Sequence, residues 1–235
     1  MEHARLGPSS AHRWTRCPAS IGLSEQVPPR ASGPAAAAGG LMHAVFERRL
    51  LGQSDFHSDE LAELAELDVS PARARQIVAQ ALLAAHGALA QYGVTEYLTE
   101  RRVNPGGVVQ RDDFWGTADL IGANQASRTL LVGDLKTGRG RVEVKHNEQL
   151  LCYALGALEL IDFEPERIVL AIFQPPVFGE RAALWQTDAR TLHEFGVFVG
   201  HQAALSDQAD LPPSPSTEAC QWCPAKPVCP AHRRP

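Results

Sequence analysis

The sequence predicts a mixed α/β fold, with a β-sheet core flanked by helices and a cysteine-rich segment at its C-terminal end. Three observations predict it. First, the segments around Asp119 and Asp134 are strand-like: apolar Leu120 and Ile121 follow one, Leu130, Leu131 and Val132 precede the other, and polar Ala123 to Arg128 suits a hairpin loop. Second, Ser70-Pro71 opens a long amphipathic helix to about Tyr92, with serine at the cap and proline at its first position. Third, Cys220, Cys223 and Cys229 fall within ten residues of each other near the end of the chain.

Composition narrows the class. The 235 residues, 44% hydrophobic and 21% charged, suit one large domain with a sizeable core, here 35–208 with terminal segments 1–34 and 209–235. A formal net charge of -5 argues against a protein that coats nucleic acid, although local basic patches and a bound metal can still meet phosphate. No apolar run approaches the ~20 residues that span a bilayer, and Met1 to Ser10 lacks a secretory apolar core. A cytoplasmic chain with no membrane contact is expected, and five cysteines there do not form a disulfide framework.

In chain order, Ser9 or Ser10 caps a short helix through Ala11-His12-Arg13-Trp14, which stops at Cys17-Pro18. Val27 to Gly33 is a loop rich in proline and small residues, leading into a helix from about Ala35 to Leu51. Asp55 to Asp68 forms a short acidic helix with Leu61, Leu64 and Leu67 on one side. On the long helix, Ile77, Ala81, Ala84, Ala85 and Ala88 are spaced to pack against a sheet, and His57 and His86 are surface residues. Thr95 to Val103 is the first strand and ends in the turn Asn104-Pro105-Gly106-Gly107. Phe114-Trp115 packs under the strand that follows. Next come a helix from Gln149 to Leu160, a β-rich run from Arg167 to Gln174, a short strand from Ala182 to Gln186, and a helix from Thr187 to about Ala204. Leu211 to Ser216 is a linker.

The chemistry concentrates between Gly116 and Tyr153. Asp134 and Lys136 point the same way on their strand and Leu135 points opposite. A carboxylate on each of two adjacent strands, Asp119 and Asp134, is a compact place for a hard divalent cation. Gln149 and Tyr153, four apart on a helix, can reach one pocket. Earlier, His43 and Glu47 share a helix face. Glu100 can serve as an auxiliary acid and Arg101 and Arg102 can meet phosphate, though an ordinary solvent-facing strand explains all three. Arg139, Arg141 and Lys145 form a basic cluster that reads equally as a phosphate contact or a solvated loop.

The order Gly116-Thr117-Ala118-Asp119, Asp134-Leu135-Lys136 and Gln149-x-x-x-Tyr153 resembles the PD-(D/E)XK nuclease superfamily, and within it the RecB-like branch. Gly39-Gly40-Leu41-Met42-His43 resembles that branch's Gly-x-x-x-His element, with Gly40 where the branch often has threonine. The resemblance implies a restriction-endonuclease-like fold and a metal-dependent deoxyribonuclease of exonuclease type, acting in repair, recombination or phage DNA processing. It implies that His43, Asp119, Asp134 and the carbonyl of Leu135 hold Mg2+ or Mn2+. It makes Asp119, Asp134, Lys136, Gln149 and Tyr153 the catalytic set. DNA is the implied substrate, and a helicase or a single-strand-annealing protein the implied kind of partner. A nuclease-like protein that only binds DNA is the alternative.

The cysteines allow two readings. Cys17, Cys220, Cys223 and Cys229 can hold a 4Fe-4S cluster through four thiolates, or Cys220, Cys223, Cys229 and His232 can hold Zn2+ in an interaction module. The resemblance favours the first. CRISPR-associated RecB-like and AddB-type nucleases carry one cysteine before the core and three after it, and Ser9 to Pro18 resembles the start of a phage-associated uncharacterised branch. The cluster would tie the chain ends together. Cys152 is expected to be a small buried residue.

Overall fold

The computed structural model describes residues 4–29 and 33–232. Residues 30–32, part of the loop expected from Val27 to Gly33, lie outside the described residues.

The architecture is the expected mixed sheet flanked by helices. Short helices α1 (Ala11–Trp14) and α2 (Ser20–Glu25) precede α3 (Pro34–Leu50), α4 (Ser58–Glu66) and α5 (Pro71–Gln91). Strand β1 (Glu96–Val103) leads through α6 (Pro105–Val109) to the hairpin β2 (Gly116–Asn124) and β3 (Thr129–Leu135). Helix α7 (Glu148–Ala157) crosses to β4 (Arg167–Phe173). Then come α8 (Pro175–Phe178), β5 (Ala183–Thr187), α9 (Ala189–Leu205) and α10 (Thr217–Gln221). The five strands lie in sequence order. All neighbours are antiparallel except β3 and β4, where α7 supplies the crossover that a parallel pair requires.

Alternation sorts the central strands onto two cores. Leu130, Val132, Ile168, Leu170 and Ile172 pack with Leu150, Leu151, Ala154, Trp14 and Phe114 on the α7 side. Leu131, Leu135, Val169, Ala171 and Phe173 pack with Met42, Val45, Phe46 and the expected stripe of α5 on the other. Every residue of β3 is buried, as a central strand covered on both faces must be.

Several local expectations change. Ser10 stands at the N-cap of α1, but its hydroxyl turns back to donate to the Gly7 carbonyl at 3.1 Å and caps nothing. The turn expected at Asn104–Gly107 instead opens α6, because Pro105 can take the first helical position. The helix expected from Thr187 starts at Ala189: Thr187 ends β5, and Asp188 caps α9 by accepting from the Thr191 amide at 2.8 Å. Phe114 is fully buried edge-on against Trp14, whereas Trp115 is only half-buried. His57 is exposed, as expected, but it is also the N-cap of α4 in a capping box with Glu60.

Candidate metal centre

The site grows from a fault in the β1–β2 ladder. Side chains two apart on a strand share a face, yet Leu120 packs in the α3–α5 core and Ala118 in the α7 core. The switch falls at Asp119. Opposite it, pairing is kept at Thr99↔Leu120 and Arg101↔Ala118, and Glu100 between them drops out with φ +43°. A left-handed glutamate inside a strand is costly, about 1–3 kcal/mol, and distortions of this kind re-aim side chains. Here both carboxylates turn toward His43 on α3. Ligand atoms of His43, Glu100 and Asp119 all lie within 4.8 Å of one another. His43 Nδ1 is 3.3 Å from Asp119 Oδ2, which also accepts from the Leu135 amide at 2.6 Å.

The second half of the site stands at the end of β3. Asp134 is 2% exposed. Lys136 Nζ lies 2.7 Å from its Oδ2 and donates to Gln149 Oε1 at 3.0 Å. Gln149 Nε2 donates to Asp134 Oδ1 at 2.9 Å and to the Tyr153 hydroxyl at 3.0 Å. The one-turn spacing of Gln149 and Tyr153 on α7 thus closes a polar chain from lysine to tyrosine. The motif glycines are steric requirements of the same packing. A Cβ on Gly116 would come within 3.0 Å of the Tyr153 ring, and one on Gly133 would strike the Phe173 ring.

Charge at the site is unbalanced toward the anionic. Burial, with Asp119 adding, pushes Asp134 up to about 6 against the pull of Lys136 and His43. Burial and Asp119 push Glu100 up to about 7. Burial opposes protonation of His43, but Asp119, Asp134 and Glu100 outweigh it and raise its pKa. Burial likewise works against the Lys136 cation, and Asp134 overcomes it. Burial also raises Tyr153, keeping the hydroxyl that accepts from Gln149 neutral. Asp134 Oδ2, though close to Lys136, takes no aligned hydrogen bond. An imidazole, two converging carboxylates and a further buried carboxylate oxygen without a hydrogen bond fit a divalent cation, which would reverse these carboxylate shifts.

Against the sequence expectation, the structure brings His43 and Asp119 together and adds Glu100, for which an ordinary exposed strand position had seemed sufficient. Asp134 is engaged by Lys136 and Gln149, and the observed contact of Leu135 is through its amide. A residue that sequence reasoning missed is Gln174, 1% exposed. Its side chain donates to the carbonyls of Gly138 and Gly140 at 2.9 and 2.7 Å and accepts from the Val142 amide at 3.0 Å. It therefore pins the loop that carries exposed Arg139 and Arg141. Arg141 is itself paired with Glu143 at 2.6 Å.

The terminal segments meet elsewhere. Helix α1 packs on α10, and Cys17 is buried with Ala19 and Ala219. Its sulfur accepts from the Ser214 amide at 3.4 Å. Burial raises the Cys17 pKa, with neighbouring Cys223 and Cys220 adding. Among the described residues, no three cysteine sulfurs lie within 4.8 Å of one another, and exposed His232 joins no such group. Cys152 is buried, as expected.

The chain belongs to a family described as "Protein of unknown function (DUF2800)", whose model matches residues 3–234. Among solved structures it is similar to the crystal structure of SSO0001, at 15% identity, covering 83% of this chain and 97% of that chain, with a TM-score of 0.37. It is also similar to the crystal structure of LHK-Exo in complex with dAMP, at 10% identity, covering 84% of this chain and 90% of that chain, with a TM-score of 0.34. Similarities at this level bear on neither activity nor ligand.

Proposed function

We propose that this DUF2800 chain is a divalent-metal-dependent deoxyribonuclease, acting as an exonuclease of the RecB-like kind. The observation that supports it most is the meeting, at one end of one sheet, of the His43–Glu100–Asp119 group with the Asp134–Lys136–Gln149–Tyr153 chain. His43, Glu100 and Asp119 would hold Mg2+ or Mn2+, with Asp134 beside them. When bound, the ion supplies acidity to a coordinated water and positive charge to the phosphate.

The protein's own groups supply the rest. Lys136 places a fixed cation where negative charge grows on the phosphate during attack. Gln149 holds Lys136 and Asp134 in register through opposite ends of one amide, so neither swings when DNA arrives. Tyr153 keeps that amide from rotating. The Leu135 amide fixes one oxygen of Asp119 and leaves the other for the metal.

In the same reading Cys17, Cys220, Cys223 and Cys229 would hold a 4Fe-4S cluster as a structural staple away from the catalytic metal. The return of α10 onto α1, which packs Cys17 with Ala219, supports it. The test of activity is incubation of end-labelled linear and circular DNA with Mg2+, Mn2+ or EDTA. Loss of label from linear DNA only, with either metal and not with EDTA, is the expected result. Intact DNA under all conditions rejects the reading.

A further inference from the structure

We propose that Arg102 and Trp115 form a platform on which a base of a single-stranded DNA end stacks as it enters the metal centre. The Arg102 guanidinium lies over the Trp115 ring, 3.8 Å from its centroid. Among the described residues Arg102 has no carboxylate partner, and Trp115 is half-buried while Arg101 and Arg102 are exposed.

Register places this pair beside the site. Val103 points into the α7 core, so Arg102, one residue back, faces the opposite side of the ribbon. Thr117 stands across from it, and Trp115, two residues before Thr117, shares that face. Glu100 lies two residues from Arg102 and Asp119 four from Trp115, ~7 and ~14 Å at the usual rise. That is about two to four steps of a DNA strand. β1 is an edge strand, so this flank of the sheet is open to an approaching chain.

A guanidinium without a carboxylate partner, lying over an aromatic ring, is the chemistry that binds a nucleic-acid strand without regard to sequence: a base stacks on the open side of the pair and the cation meets the adjoining phosphate. Bases inside a duplex have both faces covered by their neighbours, so the platform selects an unpaired end. It rests on the nuclease reading and adds the substrate's strandedness to it.

The test measures binding of a fluorescent oligothymidylate and of a blunt duplex of equal length in EDTA, where metal-dependent cutting does not intervene. Wild type should prefer the single strand. Trp115→Ala should weaken oligothymidylate binding about five- to a hundredfold and leave duplex binding nearly unchanged. Trp115→Phe should restore most of the loss. Arg102→Gln, which leaves the ring in place, should also weaken single-strand binding and flatten its salt dependence. Circular dichroism checks that each variant is folded, and if Trp115→Ala is not, Arg102→Gln and Trp115→Phe decide. Single-strand binding equal to wild type in the folded variants, or a wild type that prefers duplex, overturns the platform. Trp115-dependent binding without any metal-dependent cleavage would leave the platform standing and remove the nuclease reading instead.

Discussion

The candidate metal centre and the cysteine segment are held in different ways. At the candidate centre, Asp119 and Asp134 sit on strands paired on both sides and packed between two cores, and His43 sits on the 17-residue helix α3. Ladders and cores fix the backbone, so His43 meets Asp119 at 3.3 Å and Gln149 reaches Asp134 at 2.9 Å from separate elements. Cys220 sits on the five-residue helix α10 and Cys223 and Cys229 on the turns after it, beside a small core of Cys17, Ala19 and Ala219 against which Leu23 and Leu211 pack. Their backbone meets without drawing three sulfurs together. Preorganisation in the first region comes from the fold. In the second, a bound group would have to supply it, and binding would then contribute folding free energy.

The largest expected effect tests the preorganised side. Lys136→Ala should lower the single-turnover cleavage rate about 10²–10³-fold, as loss of one fixed transition-state charge does, with DNA affinity nearly unchanged. Asp134→Asn should do at least as much. A Lys136→Ala protein that cuts at the wild-type rate would show that this constellation is not the active site.

The next test addresses the other region. If the staple is present, anaerobically purified protein is brown and contains iron and acid-labile sulfide. Cys17→Ala should bleach it and lower the Tm by more than 5 °C, since a lost metal site adds to the small cavity at Cys17, at about 2–4 °C per kcal/mol for a chain of this size. Cys152→Ala, at a more deeply buried thiol outside the group, should keep the colour and lose only the cavity share. Colourless protein with stoichiometric zinc and sensitivity to His232→Ala would move the site to the zinc reading and leave the sheet-end chemistry as it stands.

Glu100 sharpens the contrast, because there the fold accepts strain to build the site. Glu100→Gly relieves a left-handed backbone at φ +43° and removes a ligand. It should raise Tm by about 2–4 °C, or about 1 kcal/mol, while the metal concentration for half-maximal cleavage rises at least tenfold. Glu100→Gln should show the metal effect without the gain in stability. Thermal melts of both variants alongside metal titrations separate the two contributions.

These cases also mark what the sequence could say. The strand hairpin and the long helix were legible: Leu130 to Val132 is an apolar run bounded by a polar break, and the α5 stripe lies where a period of 3.6 puts it. Spacing within single elements put Asp134 beside Lys136 and Gln149 beside Tyr153; joining them to Asp119 as one set rested on the resemblance of the motif order. Glu100 was legible only as a candidate acid on a strand, because glutamate carries no preference for positive φ and the strand pairing that sets it opposite Asp119 is a tertiary fact. Gln174 was hidden for a related reason. It follows an apolar run, and the three backbone groups it satisfies lie more than thirty residues away in sequence. The cap at Ser10 failed because its hydroxyl had a nearer acceptor.

The smallest expected effect concerns what else fastens the terminal segments. Arg111 donates to Asp113 at 2.8 Å and to Asp207 at 2.6 Å, and Arg5 reaches Asp207 at 2.8 Å. These bonds join the N-terminal segment to the residues just after α9, independently of any cysteine. Hydrogen bonds from Arg111 hold the carboxyls of Asp113 and Asp207 below their ordinary range. A carboxylate whose folded pKa is depressed stabilises the protein above its unfolded pKa of about 3.9 and loses that contribution as pH falls through the folded value. Arg111→Met should therefore lower Tm near neutral pH, and the gap from wild type should close below about pH 4. Asp207 is half-exposed, so solvent screens the pair and the gap should be only about 1–3 °C, shrinking further in high salt. Melting curves of both proteins from pH 3 to pH 7 measure it. A gap that persists unchanged at pH 3 would mean that Arg111 fastens the segments through its packing and its bond to the Ala203 carbonyl rather than through its charge.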